Sequence, residues 1–384
     1  MMCWRTGGRR RPVVPSDDAR PRIGLPLVLA VMLALTVIVT WPQALSPAGT
    51  FAAHTDAYFS TWRLMWIAHA LQTDPAHLFD TNIFYPSTGT LAYSDATLLQ
   101  GLIATPFLWA GVSPVLMYNL LLFAGYVGSG MAMFVLARSL TGASGPALVA
   151  AAVFTVAPYR TEHFMHLEMQ WGMWIPLAFW ALHRTVETRS WRFGALSGLC
   201  IGLQVLSCVY YGVFLALMVA VLVPLLLLTD VPRGLRALPP LVLGAVVTAV
   251  IALPYAQVYL ANAKTLGERE VGSILELSAT PLNYLAAPGP SVWWGWTSEL
   301  WGHNERRLFP GLVAAALAVV AVVCPAVPAG TAATSKRQVW VYLLLTVLGI
   351  ELSFGLNGRL YTFLSDHVQA LHGLRSPARF GILV

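Results

Sequence analysis

Three short stretches hold most of the side chains able to do chemistry. HTDAYFSTWRLMW, from His54 to Trp66, sets Asp56 beside Thr55 ahead of an aromatic run. APYRTEHFMHLEMQW gathers Arg160, Glu162, His163, His166 and Glu168 with Tyr159 and Gln170. LHGLRSPARF places Arg375 and Arg379 near the C-terminus. Thr and Asp at the head of a helix are favoured capping residues, and a cap also fixes a carboxylate in one place. His and carboxylate three and four residues apart can share a metal-binding face. The spacing here differs from the zinc-protease pattern HExxH, so a divalent ion is the less favoured occupant. A solvated polar loop is the alternative, although so many ionisable groups beside a membrane mouth are costly unless used. Two arginines can fork onto a phosphate or lie among lipid headgroups.

These residues need helices to position them. Phe59, Trp62 and Trp66 recur at helical spacing, and Asp56, Ser60 and Arg63 form a polar stripe beside them. The pattern predicts an amphipathic helix in the membrane interface, with tryptophans at headgroup depth. In NIFYPSTGTLAYSD, Pro86 and Gly89 force a turn, and Tyr85 and Tyr93 suit an interface.

The chain has 384 residues, 57% hydrophobic and 10% charged, and its mean hydropathy is +0.66. A soluble domain carries about 25% charged residues, so the class is an all-α polytopic membrane protein. The net charge of +6 then reports loop orientation, not nucleic-acid binding. Cys200, Cys208 and Cys324 lie in apolar segments and Cys3 in the N-terminal tail, so no pair is placed to staple an exterior loop.

Apolar runs occur at about 23–41, 96–111, 115–137, 146–158, 170–183, 193–209, 211–229, 238–256, 308–326 and 339–356. Arginine positions sort them. If 96–111, short and broken by Pro106, is interfacial or re-entrant, one side receives Arg5, Arg9, Arg10, Arg11, Arg20 and Arg22. It also receives Arg138, Arg184, Arg189, Arg192, Arg233, Arg236, Lys336 and Arg337. That side is the cytoplasm. The expected architecture is a basic cytoplasmic tail over 1–22 and a helical bundle of about nine or ten spans over 23–384. The outer segments fall at about 46–113, 159–169, 257–307 and 357–377, the first carrying interfacial helices. They hold all the histidines except His183, and most of the acidic residues. Any chemistry is therefore expected on the outer face of an inner or plasma membrane. RFGILV reads as the opening of a further helix whose end is not in the sequence, which leaves open whether the native chain continues beyond Val384.

In order, the long outer loop opening on TDAY, NIFYP, the Pro-broken half-helix, LARSLTG, APYRTEHFMHLE, WIPLAFWAL and LRSPARF resemble the GT-C superfamily of membrane glycosyltransferases. The layout is similar to that of the O-mannosyl and aminoarabinose transferases. The resemblance covers most of the chain from about Pro26. It implies a polyprenyl-phosphate-linked sugar as donor and a glycan, lipid or protein as acceptor, with membrane lipid around the bundle. It also implies Asp56 as the general base or acceptor-orienting residue, since a hydroxyl attacking the sugar must lose its proton. Arg160, Arg375 and Arg379 would meet charge on the phosphate. Glu162, His163, His166 and Glu168, with Tyr85, would contact substrate. The acidic pair common in the family is absent, since Ala57 and Tyr58 follow Asp56, and its later soluble domain is not within these 384 residues. A transporter or flippase for a lipid-linked substrate and a non-catalytic envelope scaffold are the alternatives. A transporter would want ionisable residues at membrane depth, where Glu351 is the nearest candidate.

Overall fold

A computed structural model describes residues 23–228, 231–266, 270–323, 336–368 and 371–384. The tail over 1–22, with its six arginines, Cys3, Cys324 and Glu268 lie outside the described residues. Among the described residues every regular element is helical. In chain order they are α1 (Leu25–Val39), α2 (Thr55–Thr73), α3 (Leu98–Trp109), α4 (Pro114–Thr141), α5 (Ser144–Thr155) and α6 (Pro158–Glu162). There follow α7 (Leu167–Gln170), α8 (Trp174–Thr188), α9 (Trp191–Ser207), α10 (Val209–Leu227), α11 (Val231–Leu235) and α12 (Leu238–Leu266). The last are α13 (Val271–Glu276), α14 (Ser298–Trp301), α15 (Leu312–Val323), α16 (Lys336–Ser353) and α17 (Arg359–Ser365).

Three helices are long and apolar enough to cross a membrane: α4, α10 and α12 as far as Lys264. At 1.5 Å per residue, about 20 residues span a hydrocarbon core of roughly 30 Å. The apolar helices α1, α3 and α15 are shorter, at 15, 12 and 12 residues. The punctuation of α4 is explicit in its sequence. Ser113 accepts the Leu116 N–H at 3.1 Å, Pro114 opens the first turn, and Gly142 ends the helix at φ 68°.

Helix α9 meets α12 along glycines at every fourth position. A Cβ on Gly198 would stand 2.1 Å from the Gly244 carbonyl oxygen, and one on Gly194 2.1 Å from that of Pro240. Only hydrogen at these positions lets the backbones touch, which is how small residues join helices in lipid. On its other side α12 exposes Val242, Val246, Val250 and Leu253. The main core packs α8, α9 and α10 with α16 and the C-terminal turn, where Phe380 stacks on Phe214. Cys200 and Cys208 are buried, free thiols within it.

Helix α2 departs from its expected setting. Its polar stripe turns inward, leaving Ser60 at 0% and Arg63 at 1% exposure, while Tyr58 and Met65 face out. Periodicity defines a face but not its direction, and a buried carboxylate from α7 makes this direction stable. Thr55 and Asp56 are not the cap. His54 holds that position, its Nδ1 accepting the Asp56 N–H at 3.2 Å. Asp56 stands in the first turn, where the helix dipole favours negative charge.

Candidate functional site

A cavity of about 1200 Å³ is lined by Asp56, Glu162, His163, His166, Glu168, Arg375 and Arg379 together. They arrive on α2, on the α6–α7 corner and on the C-terminal segment. Lys264 from the end of α12 and Glu305 from the loop before α15 join them. Segments assigned to one side of the membrane by sequence thus converge on one space.

Asp56 and His166 form a partly exposed polar pair in it, with Nε2 of His166 3.3 Å from Oδ2 of Asp56. The hydrogen bond from His166 is the main reason the Asp56 carboxyl lies below its ordinary range, with partial burial opposing it. The ring nitrogen of His54 also comes within 3.2 Å of Oδ2. That nitrogen already accepts the Asp56 N–H, so it has no proton there to donate to the carboxylate.

Behind this pair lies a buried framework of matched charges. Arg63 reaches Glu168 at 3.2 Å, Ser60 Oγ at 2.8 Å and the Asp95 carbonyl oxygen. Burial resists ionisation of Glu168, and Arg63, His166, a backbone N–H and Arg379 together overcome it, so the carboxyl stays below its usual range. Asp95 accepts the Val209 N–H at 2.7 Å, at the head of α10. Burial and then the neighbouring Glu168 charge push its carboxyl up to about 7. Arg379 grips Glu305 with two hydrogen bonds of 2.9 and 2.5 Å. Burial works against both charges, and each nonetheless favours the ionised form of the other. Arg307 bridges Glu162 and Glu299. His163 lies 3.8 Å from Glu305, too far for a hydrogen bond. Burial pushes its pKa down to about 3, so the contact is between a neutral ring and a carboxylate, not an ion pair.

Some expected roles change. Arg160 does not line the cavity. It is 2% exposed, lies 5.2 Å from each of the Tyr126 and Phe154 ring centroids, and donates to Gln170 and the Phe154 carbonyl. It fixes the α6–α7 corner and has no open path to a phosphate. Tyr85 is 93% exposed on the tip of the 79–95 loop and is not part of the lining. Arg379 lines the cavity with its charge already taken by Glu305, which leaves Arg375 as the predicted arginine free of a described carboxylate. Among the described residues no group of three or more His, Cys, Asp or Glu is arranged around a metal ion. Glu351 caps α17, accepting the N–H groups of Arg359 at 3.0 Å and Leu360 at 3.2 Å.

The pattern of residue types gave no signal for Asp95, Glu305 or Lys264. The lining also carries apolar residues, Ile201 and Val205 of α9, Val213 and Ala216 of α10, and Ala252 and Ala256 of α12. From Thr248 to Lys264 the α12 lining runs about 24 Å at 1.5 Å per residue. The chain shows no significant similarity to any protein-family model, curated protein or solved structure.

Proposed function

We propose that the protein is a membrane glycosyltransferase of the GT-C type. It moves a sugar from a polyprenyl-phosphate donor to a glycan, lipid or protein acceptor at the outer face of the inner or plasma membrane. The observation that carries this reading is one cavity with two chemistries. Its lining combines the Asp56–His166 pair and its charged neighbours with an apolar trough of residues from α9, α10 and α12. A sugar on a lipid carrier has those two chemistries in one molecule.

In this reading the prenyl chain lies along the trough. Asp56, ionised and oriented by His166, takes the proton of the acceptor hydroxyl as its oxygen attacks C1. The C1–O bond to phosphate breaks and its electron pair leaves on the phosphate. Arg375 and Lys264, which have no carboxylate partner among the described residues, meet that charge. Arg160 is withdrawn from this role. The shorter α1, α5, α8, α9, α15 and α16 complete a bundle of nine crossings with α4, α10 and α12, and the basic tail lies in the cytoplasm.

Transport of an intact lipid-linked substrate is the second reading, favoured by the depth of the trough and weakened by the capping role of Glu351. Asp56→Asn decides between them. Loss of a positioned base costs about 10²–10⁴-fold in rate, so transfer from polyprenyl-phosphate sugar should fall by that factor while protein level and insertion hold. Full transfer by the variant refutes the base. Movement of substrate across sealed vesicles without bond cleavage supports the transporter.

A further inference from the structure

We infer that the sugar taken by this site carries no anionic group, so that uronic acids are rejected; the inference rests on the glycosyltransferase reading. It follows from the charges around Asp56. Arg63, Arg307 and Arg379 are already matched by Glu168, Glu162 and Glu305. The titratable side chains acting on Asp56 are His166, His54 and Arg63, and Arg63 is matched. A carboxylate on an incoming sugar would meet the Asp56 charge with no unmatched arginine or lysine among those groups to receive it.

The same region holds two hydrogen-bonding atoms without partners. His163 Nε2 and His166 Nδ1 are buried and have no hydrogen-bond partner in the structure. The His163 side chain is 5% exposed, and both rings line the cavity with centroids 5.3 Å apart. An unsatisfied buried nitrogen is costly. A hydroxyl can satisfy an imidazole nitrogen as donor or acceptor, whichever tautomer is present, whereas a carboxylate only accepts. Several hydroxyls on an uncharged ring match these atoms. A carboxylate about 6 Å from Asp56, at an effective dielectric near 20, is disfavoured on the order of 100-fold.

The test is equilibrium binding to the full chain in nanodiscs. The probes are polyprenyl phosphates carrying glucose, galactose or mannose, each paired with its uronic acid. At least one neutral member should bind about 100-fold tighter than its uronate. Asp56→Asn should narrow that ratio by about tenfold or more, which a purely structural role for Asp56 would not do. His163→Phe should weaken the neutral probe by about tenfold, and His163→Gln should restore part of the loss. A uronate binding as tightly as its neutral partner overturns this inference and leaves the glycosyltransferase reading standing. An unchanged ratio in Asp56→Asn also overturns it. Failure of every probe to bind overturns both.

Discussion

The contact between Arg63 and Glu168 should be the clamp that sets Asp56 against His166. Arg63 lies two turns after Asp56 on α2, and Glu168 lies two residues after His166 on α7, so one ion pair registers both. The two side chains are 2% and 7% exposed, which removes most solvent screening. Arg63→Met leaves Glu168 buried beside no cation, a change that costs about 3–5 kcal/mol when one partner of a buried pair is removed. Against a total stability of roughly 5–15 kcal/mol, that loss is readily measured by denaturation in mixed micelles. Arg63→Met with Glu168→Gln removes both charges and should recover at least about 2 kcal/mol of the single-variant loss, since apolar replacement of a whole pair is often close to neutral. Transfer activity should not recover with it. A displacement of about 1 Å in a catalytic group can cost on the order of 100-fold, and the double variant no longer fixes the α2–α7 register. Salt should leave the coupling unchanged. Single variants that each lose under about 1 kcal/mol and combine additively would refute the clamp, as would a double variant with full transfer activity.

Two pH experiments probe the neighbouring carboxyls. His166→Ala removes the main influence holding the Asp56 carboxyl below its ordinary value of 3.8. The acid limb of kcat/KM should therefore move up toward the common carboxylate range, and an unmoved limb excludes His166 as its partner. Asp95 shifts the opposite way, from 3.8 to about 7, so the folded protein holds a proton that the unfolded chain releases. Its stabilising contribution is fully present below about pH 4 and is lost as pH rises through about 7. The difference in unfolding free energy between wild type and Asp95→Asn should fall steadily across that window. A flat difference would show that the folded protein does not retain that proton.

The long apolar runs were legible because hydropathy over about 20 residues reports burial in lipid whatever the neighbours do. The runs at 115–137, 211–229 and 238–256 correspond to α4, α10 and α12. The candidate site was legible in composition and less so in role. Asp56, His163, His166 and Glu168 stood out because ionisable residues are scarce in this chain. Arg160 stood out for the same reason and is packed between aromatic rings instead. Local sequence reports that a cation is present. Whether it is free depends on partners such as the Phe154 carbonyl and Gln170, which only the folded corner supplies. Arg379 is the same case at longer range, since Glu305 lies 74 positions away.

The matched pairs also bear on how such a site can tolerate being dry. Each arginine–carboxylate pair at its floor costs desolvation, and each recovers it only through close geometry. Together they leave the matched arginines nearly neutralised, so the lining charges without an arginine–carboxylate match are Asp56, Glu270, Arg375 and Lys264 among the described residues. A donor with one anionic phosphate and one neutral ring would complete that distribution, with the phosphate at the two cations and the ring beside the carboxylate. Exchanging the order, by reversing Arg375 to Glu and Asp56 to Lys, keeps the net charge and should abolish binding of polyprenyl-phosphate sugars. If binding persists in that exchange, net charge alone attracts the donor, and the arrangement of these residues carries no specificity.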